Sequence, residues 1–124
     1  MGRILVVDDS KEIRDILSDV LSSMGFQVSV ASNGNEGLNL LFVNPFELVL
    51  TDLQMPGMDG WTLDFHIKDR SPDTPVVLIT GSEREVVLER LGESRVDSAI
   101  FKPFSLEEIQ ETVQAVLKRE ALET

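Results

Sequence analysis

The chain has 124 residues, 42% of them hydrophobic and 27% charged, which suits one soluble domain with its own core and leaves no room for a second. A formal charge of −11, with eleven scattered basic residues, argues against nucleic acid as a direct partner and favours a cation or a basic protein face. The absence of cysteine excludes disulfides and thiolate metal sites; no apolar stretch nears membrane-spanning length and Met1 opens straight into a strand-like run, so a cytoplasmic location and no membrane partner are expected.

Arg3 to Val7 is the first predicted strand, and it runs into two adjacent carboxylates, Asp8 and Asp9. Neighbouring carboxylates repel, and at least one is driven toward its protonated form unless a cation is present. Ile13, Ile16, Leu17, Val20, Leu21 and Met24 then mark one apolar helical stripe, which Gly25 stops. Gln27 to Ala31 reads as the second strand, and a helix from about Asn35 to Val43 ends at Asn44-Pro45. Glu47 to Thr51 is the third strand; beyond it come Asp52, the turn-rich "QMPGMDG", and a helix beginning near Asp59 that gives out before Ser71-Pro72. Pro75 to Thr80 and Ser98 to Phe101 complete the strands. Ser82 with Glu85, and Ser105 with Glu108, have capping-box spacing and place the starts of the fourth and fifth helices. The fifth, about residues 105–121, carries Leu106, Ile109, Val113, Val116 and Leu117 on one side and meets no stop signal.

Short aliphatic strands alternating with helices predict an α/β fold, five βα units wound on both faces of a parallel sheet. Ligands in such sheets bind beyond the carboxyl ends of the strands, where strand order reverses. The residues at those ends are Asp8 and Asp9, Asp52, Thr80 and Lys102. Each has a structural explanation when taken singly: Asp9 with Glu12 as a helix cap, Asp52 as the start of a turn, Thr80 as a strand end, Lys102 as a solvated loop residue. Together they make up a phosphoryl-transfer site. An octahedral cation such as Mg2+ takes carboxylate, carbonyl and water oxygens and relieves the repulsion among three acids. Asp52, alone on the central strand, is the expected nucleophile, with Asp8 and Asp9 as the metal bracket. Lys102 supplies a fixed positive charge, Thr80 a hydroxyl donor, and Gly81 an open approach with a free backbone N–H.

The segments "VVDD", "LTDLQMPGMDG", "VVLITG" and "FKPF", in this order and spacing, resemble the receiver domain of bacterial two-component response regulators, over roughly Arg3 to Leu117. The resemblance implies a flavodoxin-like (βα)5 sandwich with strand order 2-1-3-4-5, an order for which the chemotaxis receiver is a standing example. It implies that Asp52 accepts a phosphoryl group from a phosphohistidine on a sensor histidine kinase or histidine phosphotransfer protein. It further implies Mg2+, with Mn2+ as an admissible substitute, held by Asp9, Asp52 and the backbone carbonyl of Gln54, with Asp8 supporting through water. The Lys102-Pro103 bond is expected to be cis. On this view the chain is a signalling phosphoacceptor, not an enzyme acting on other substrates, and catalyses only its own phosphorylation and slow dephosphorylation. The output is a change in partner binding or homodimerisation.

In the family the Thr80 hydroxyl moves toward the phosphoryl group, and an aromatic three positions before the lysine follows it. Here that position is Ala99; Phe101, two residues on, lies on the same side of an ideal strand and is read chiefly as core. "RVDSAI" replaces the usual Gly-Ala pair and is read as a changed loop without chemical consequence. His66, among Asp64, Lys68 and Asp69, is read as a solvated helix residue, and Trp61 as packing partly against the site. Gln54 and Ser82 are candidates for controlling water access to the acyl phosphate. Two other readings remain: a degenerate receiver that binds partners without phosphorylation, motivated by Ala99, and a phosphatase of the haloacid dehalogenase type. The latter wants a second Asp where Gln54 stands. Whether the chain stands alone or leads into an effector domain is left open by its last helix.

Overall fold

The fold is a five-stranded parallel sheet in a computed structural model that describes residues 2–123. Strands β1 (Arg3–Val7), β2 (Gln27–Ala31), β3 (Leu48–Asp52), β4 (Val76–Thr80) and β5 (Ser98–Phe101) alternate with helices α1 (Lys11–Ser23), α2 (Gly34–Val43), α3 (Gly60–Arg70), α4 (Arg84–Glu93) and α5 (Leu106–Glu123). The spatial order is β2-β1-β3-β4-β5, with every neighbouring pair parallel, as expected for the flavodoxin-like sandwich. Met1 and Thr124, the ends where the sequence was read for a leader and for a stop signal, lie outside the described residues.

Period-two alternation explains the layering. Ile4 and Val6 of β1, with Leu48, Leu50, Val77 and Ile79, pack with Leu17, Leu21, Ile109 and Val113 of α1 and α5. Leu5, Val7, Val49 and Val76 face the other way, against Leu63 and Ile67 of α3 and the partly buried Leu38 and Leu41 of α2. Leu78, with Leu53, meets Val87 of α4 on that same side. The inner strands β1, β3 and β4 are thus apolar on both faces, which is why they read as continuous aliphatic runs.

Local chemistry sets the element ends. Ser10 caps α1, its hydroxyl accepting from Ile13 N–H at 3.4 Å, so the cap is not Asp9. Asn33 caps α2 and Asp59 caps α3, accepting from Glu36 N–H at 2.9 Å and Thr62 N–H at 2.8 Å. The Ser105 and Glu108 box forms as expected, with reciprocal bonds of 3.1 and 3.3 Å. The Ser82 and Glu85 box does not: Glu83 occupies the cap of α4 without a side-chain bond, and Ser82 Oγ is buried without a partner. Gly25 closes α1 at φ +96° and Gly57 turns the loop after β3 at φ +81°, conformations that a side chain strains. Two stripe positions miss the core, Ile16 and Leu106, which stand exposed on α1 and α5.

Lys68 and Asp64 are not solvated. Lys68 Nζ lies 2.8 Å from Asp64 and 3.1 Å from Asp97, and Asp97 also accepts Val76 N–H at 2.8 Å. The loop "RVDSAI" therefore has a structural consequence: its Asp97 ties α3 to the start of β4. His66 is exposed as expected, its ring edge-on to Phe65.

Candidate functional site

Strand order reverses between β1 and β3, and the acids stand at the carboxyl ends of these two strands. Each of Asp8, Asp9 and Asp52 offers a carboxylate oxygen, and these oxygens lie within 4.8 Å of one another. Asp52 is the last residue of β3 and is only 7% exposed, held in the ladder opposite Ile79. Asp8 is buried and Asp9 exposed. A cleft of about 520 Å3, lined among others by Asp9, Asn33, Gly34, Pro56 and Met58, opens beside them.

The remaining candidate residues come from β4 and β5. Lys102 Nζ stands 3.6 Å from Asp52 Oδ1, and Lys102 N–H donates to the Thr80 carbonyl at 2.8 Å, which fixes the root of the lysine to β4. The Lys102-Pro103 peptide is cis, as the resemblance implied. Thr80 is fully buried, and its Oγ1 accepts Ser82 N–H at 2.9 Å, which leaves the hydroxyl proton to donate elsewhere. Gly81 is exposed, and a Cβ there would touch only the Lys102 stem at 4.0 Å, so its openness reflects position more than crowding. Gln54, two residues beyond Asp52, is exposed.

Burial dominates the electrostatics of both inner acids. It raises the pKa of Asp52 above the ordinary 3.8, against the pull of Lys102 and the backbone N–H groups of Gln54 and Leu53, while Asp9 adds to the rise. Asp8 is raised in the same sense, by burial first; the Ser10 N–H opposes this and the Asp52 charge adds to it. One oxygen of Asp8 accepts Ser10 N–H at 2.8 Å, but the other, Oδ2, is buried with no hydrogen-bond partner. Such an orphan is costly unless something electropositive meets it.

Phe101 sits directly opposite Thr80 in the β4–β5 register. It is half-buried, packing with Ala99 against Leu53, Leu78, Val87 and Val96, and the Arg84 guanidinium covers its ring at 4.4 Å. Trp61 joins the same apolar cluster on the α4 side, with Arg90 over its ring at 4.8 Å. Two features escaped the sequence reading. Gly60, the first residue of α3, is packed so tightly that a Cβ would come within 2.8 Å of the Asp52 carbonyl, and its N–H donates to Leu53 O at 2.8 Å. Arg14 of α1 donates from Nη1 to the Asp8 carbonyl at 2.7 Å. The only sequence signal for it was a basic residue one turn into the helix that follows the acids, and Lys11 at the start of that helix offered the same charge.

Comparison with known proteins agrees with this geometry. The family described as the response regulator receiver domain matches residues 4–114. The sensor histidine kinase RcsC of Escherichia coli (strain K12) is 37% identical over 116 residues, covering 94% of this chain but 12% of RcsC. The response regulator MprA of Mycobacterium sp. (strain KMS) is 35% identical over 119 residues, 94% of this chain and 51% of MprA. Among solved structures, the response regulator protein TrrA from Thermotoga maritima, in complex with Mg2+-BeF, superposes with a TM-score of 0.85 at 32% identity, covering 94% of this chain and 99% of that one. No described helix is long and apolar enough to cross a membrane. With the family matched across most of its length and the strand order reproduced, the chain belongs to the response regulator receiver domains, signalling modules of two-component systems.

Proposed function

We propose that Asp52 is the phosphoacceptor of this receiver domain and that it works with Mg2+. The observation that carries the reading is the pairing of a nearly buried Asp52, 3.6 Å from Lys102, with two further acids, one of which keeps an unpartnered buried oxygen. Three carboxylates in so small a space fit a hard divalent cation: Asp9, Asp52 and the Gln54 carbonyl would hold it, with Asp8 Oδ2 supporting through water. When bound, such an ion neutralises charge on phosphoryl oxygens.

The chain's own residues supply the rest. A carboxylate oxygen of Asp52 attacks the phosphorus of a phosphohistidine. As the O–P bond forms, the P–N bond breaks, and the imidazole nitrogen leaves with the electron pair and is protonated from solvent. Lys102 then pairs with the new phosphoryl group instead of the carboxylate. Thr80 O–H donates a hydrogen bond to a phosphoryl oxygen, surrendering its place beside Ser82, and Gly81 N–H lies open to a second oxygen. The donor is a sensor histidine kinase or a histidine phosphotransfer protein in the cytoplasm. The signal leaves through a partner, a homodimer, or an effector domain of a longer protein, since the chain spans only part of its curated relatives.

Ala99 at the position of the usual aromatic favours a second reading, partner binding without phosphorylation. One experiment separates the two: incubation with phosphoramidate and Mg2+, followed by intact mass. The phosphoacceptor reading expects one added phosphoryl group on the wild type and none on Asp52→Asn or in excess EDTA. Equal labelling of the Asn variant overturns it, and absence of labelling on the wild type selects the second reading.

A further inference from the structure

Asp8 is unusually constrained. Its N–H donates to the Ala31 carbonyl at 3.1 Å, its Oδ1 accepts Ser10 N–H at 2.8 Å, and its carbonyl accepts Arg14 Nη1 at 2.7 Å. Only Oδ2 is left, buried and unpartnered. Two of these anchors are local or belong to the sheet ladder; the third is a charged side chain reaching back six residues from α1. A guanidinium beside a cation site is a like charge, and by Coulomb's law alone it weakens metal binding. Its use must therefore lie in its geometry. The Asp8 carbonyl belongs to the rigid plane of the Asp8-Asp9 peptide, so holding that oxygen fixes the direction in which the chain presents Asp9 as well. A charge-assisted bond from a planar donor group suits this task.

We infer that Arg14 is a positioning residue for the acidic bracket: by gripping the Asp8 carbonyl, it holds Asp8 and Asp9 at the separation from Asp52 that a divalent cation needs. The inference rests on the Mg2+ reading above. It departs from the expectation that a basic residue next to three acids serves to lower their mutual repulsion. Removing Arg14 loosens the bracket even though it removes a competing charge.

The test is a calorimetric titration with MgCl2 of the wild type, Arg14→Met and Arg14→Lys, alongside amide hydrogen exchange at Ser10 in metal-free buffer. Losing an outer hydrogen bond that orients metal ligands typically costs ten- to a hundredfold in affinity; here about a tenfold weakening is expected for Arg14→Met, with most of it recovered in Arg14→Lys. Ser10 N–H, bonded to Asp8, should exchange faster in Arg14→Met while amides of the central strand do not. Unchanged or tighter Mg2+ binding by Arg14→Met overturns the inference, the tighter case assigning the residue a purely electrostatic effect. A wild type that binds no Mg2+ overturns the phosphoacceptor reading instead, and the Ser10 exchange rate still decides whether Arg14 orders the loop. Should Arg14→Met melt below the assay temperature, Arg14→Gln, whose donor is too short to reach, takes its place.

Discussion

Removing a carboxylate from the acid cluster should make the metal-free domain more stable. The oxygens of Asp8, Asp9 and Asp52 lie within 4.8 Å of one another. At an effective dielectric constant of about 20, the buried Asp8 and Asp52 pair, both ionised at that distance, costs about 3 kcal/mol, and the exposed Asp9 adds less because solvent screens its charge. Lys102 opposes this from 3.6 Å, but its side chain is 32% exposed, and solvent screening limits its return to about 1 kcal/mol. Burial is the largest influence raising the pKa of both Asp8 and Asp52 above 3.8. The folded protein therefore holds these protons more tightly than the unfolded chain, and stability falls as pH rises from about 3.8 through the raised values. Asp52→Asn is neutral at every pH and escapes its share of that loss. At pH 7 in EDTA it should exceed the wild type by about 1 to 2 kcal/mol, a rise in Tm of about 4 to 8 °C, with the gap closing as pH falls toward 4. Mg2+ at a hundred times its Kd adds about 2.7 kcal/mol to whichever protein binds it, so in saturating Mg2+ the order should reverse. Thermal melts followed by circular dichroism, at pH 4.5 to 7.5 with EDTA or MgCl2, give all four quantities. An Asn variant less stable than the wild type in EDTA, or an order that Mg2+ leaves unchanged, would refute the electrostatic account of the site.

Two further substitutions test the scaffold. Lys68→Met leaves Asp64 and Asp97 facing one another without their shared ammonium; stranding buried charge in this way costs about 3 kcal/mol, and a loss under about 1 kcal/mol by urea titration would show that the triad is hydrated. Gly60→Ala places a methyl 2.8 Å from both the Asp52 carbonyl and Leu78, so despite the better helix former it should cost about 1 to 3 kcal/mol. Because the obstacle is the carbonyl of Asp52 itself, the Ala variant should also bind Mg2+ more weakly in calorimetry, and unchanged affinity would contradict the tight packing of α3 against the site.

The sheet was legible because its inner strands are apolar on both faces, and buried parallel strands leave few alternatives for such runs. Their edges moved by a residue for local reasons: Glu47 is exposed and outside β3, while Asp52 pairs with Ile79 and so belongs to the strand. The grouping of the three acids with Lys102 was legible because strand ends in this fold converge. What stayed hidden depends on partners far apart in the chain. The burial of Lys68 depends on Asp97, which lies 29 residues on and folds against it. Ser82 has the spacing of a cap, yet its N–H is taken by Thr80, which draws the loop away from that geometry. Arg14 acts through a backbone carbonyl, and no side-chain pattern announces such a bond.

The central claim is that Asp52, and neither of the acids beside it, takes the phosphoryl group. Borohydride reduces an aspartyl phosphate to homoserine, so protein treated with phosphoramidate and Mg2+, then reduced and digested, carries a permanent mark at the acceptor. Peptide mass spectrometry should find homoserine at position 52 alone. Homoserine at position 8 or 9, with Asp52 intact, would contradict the account.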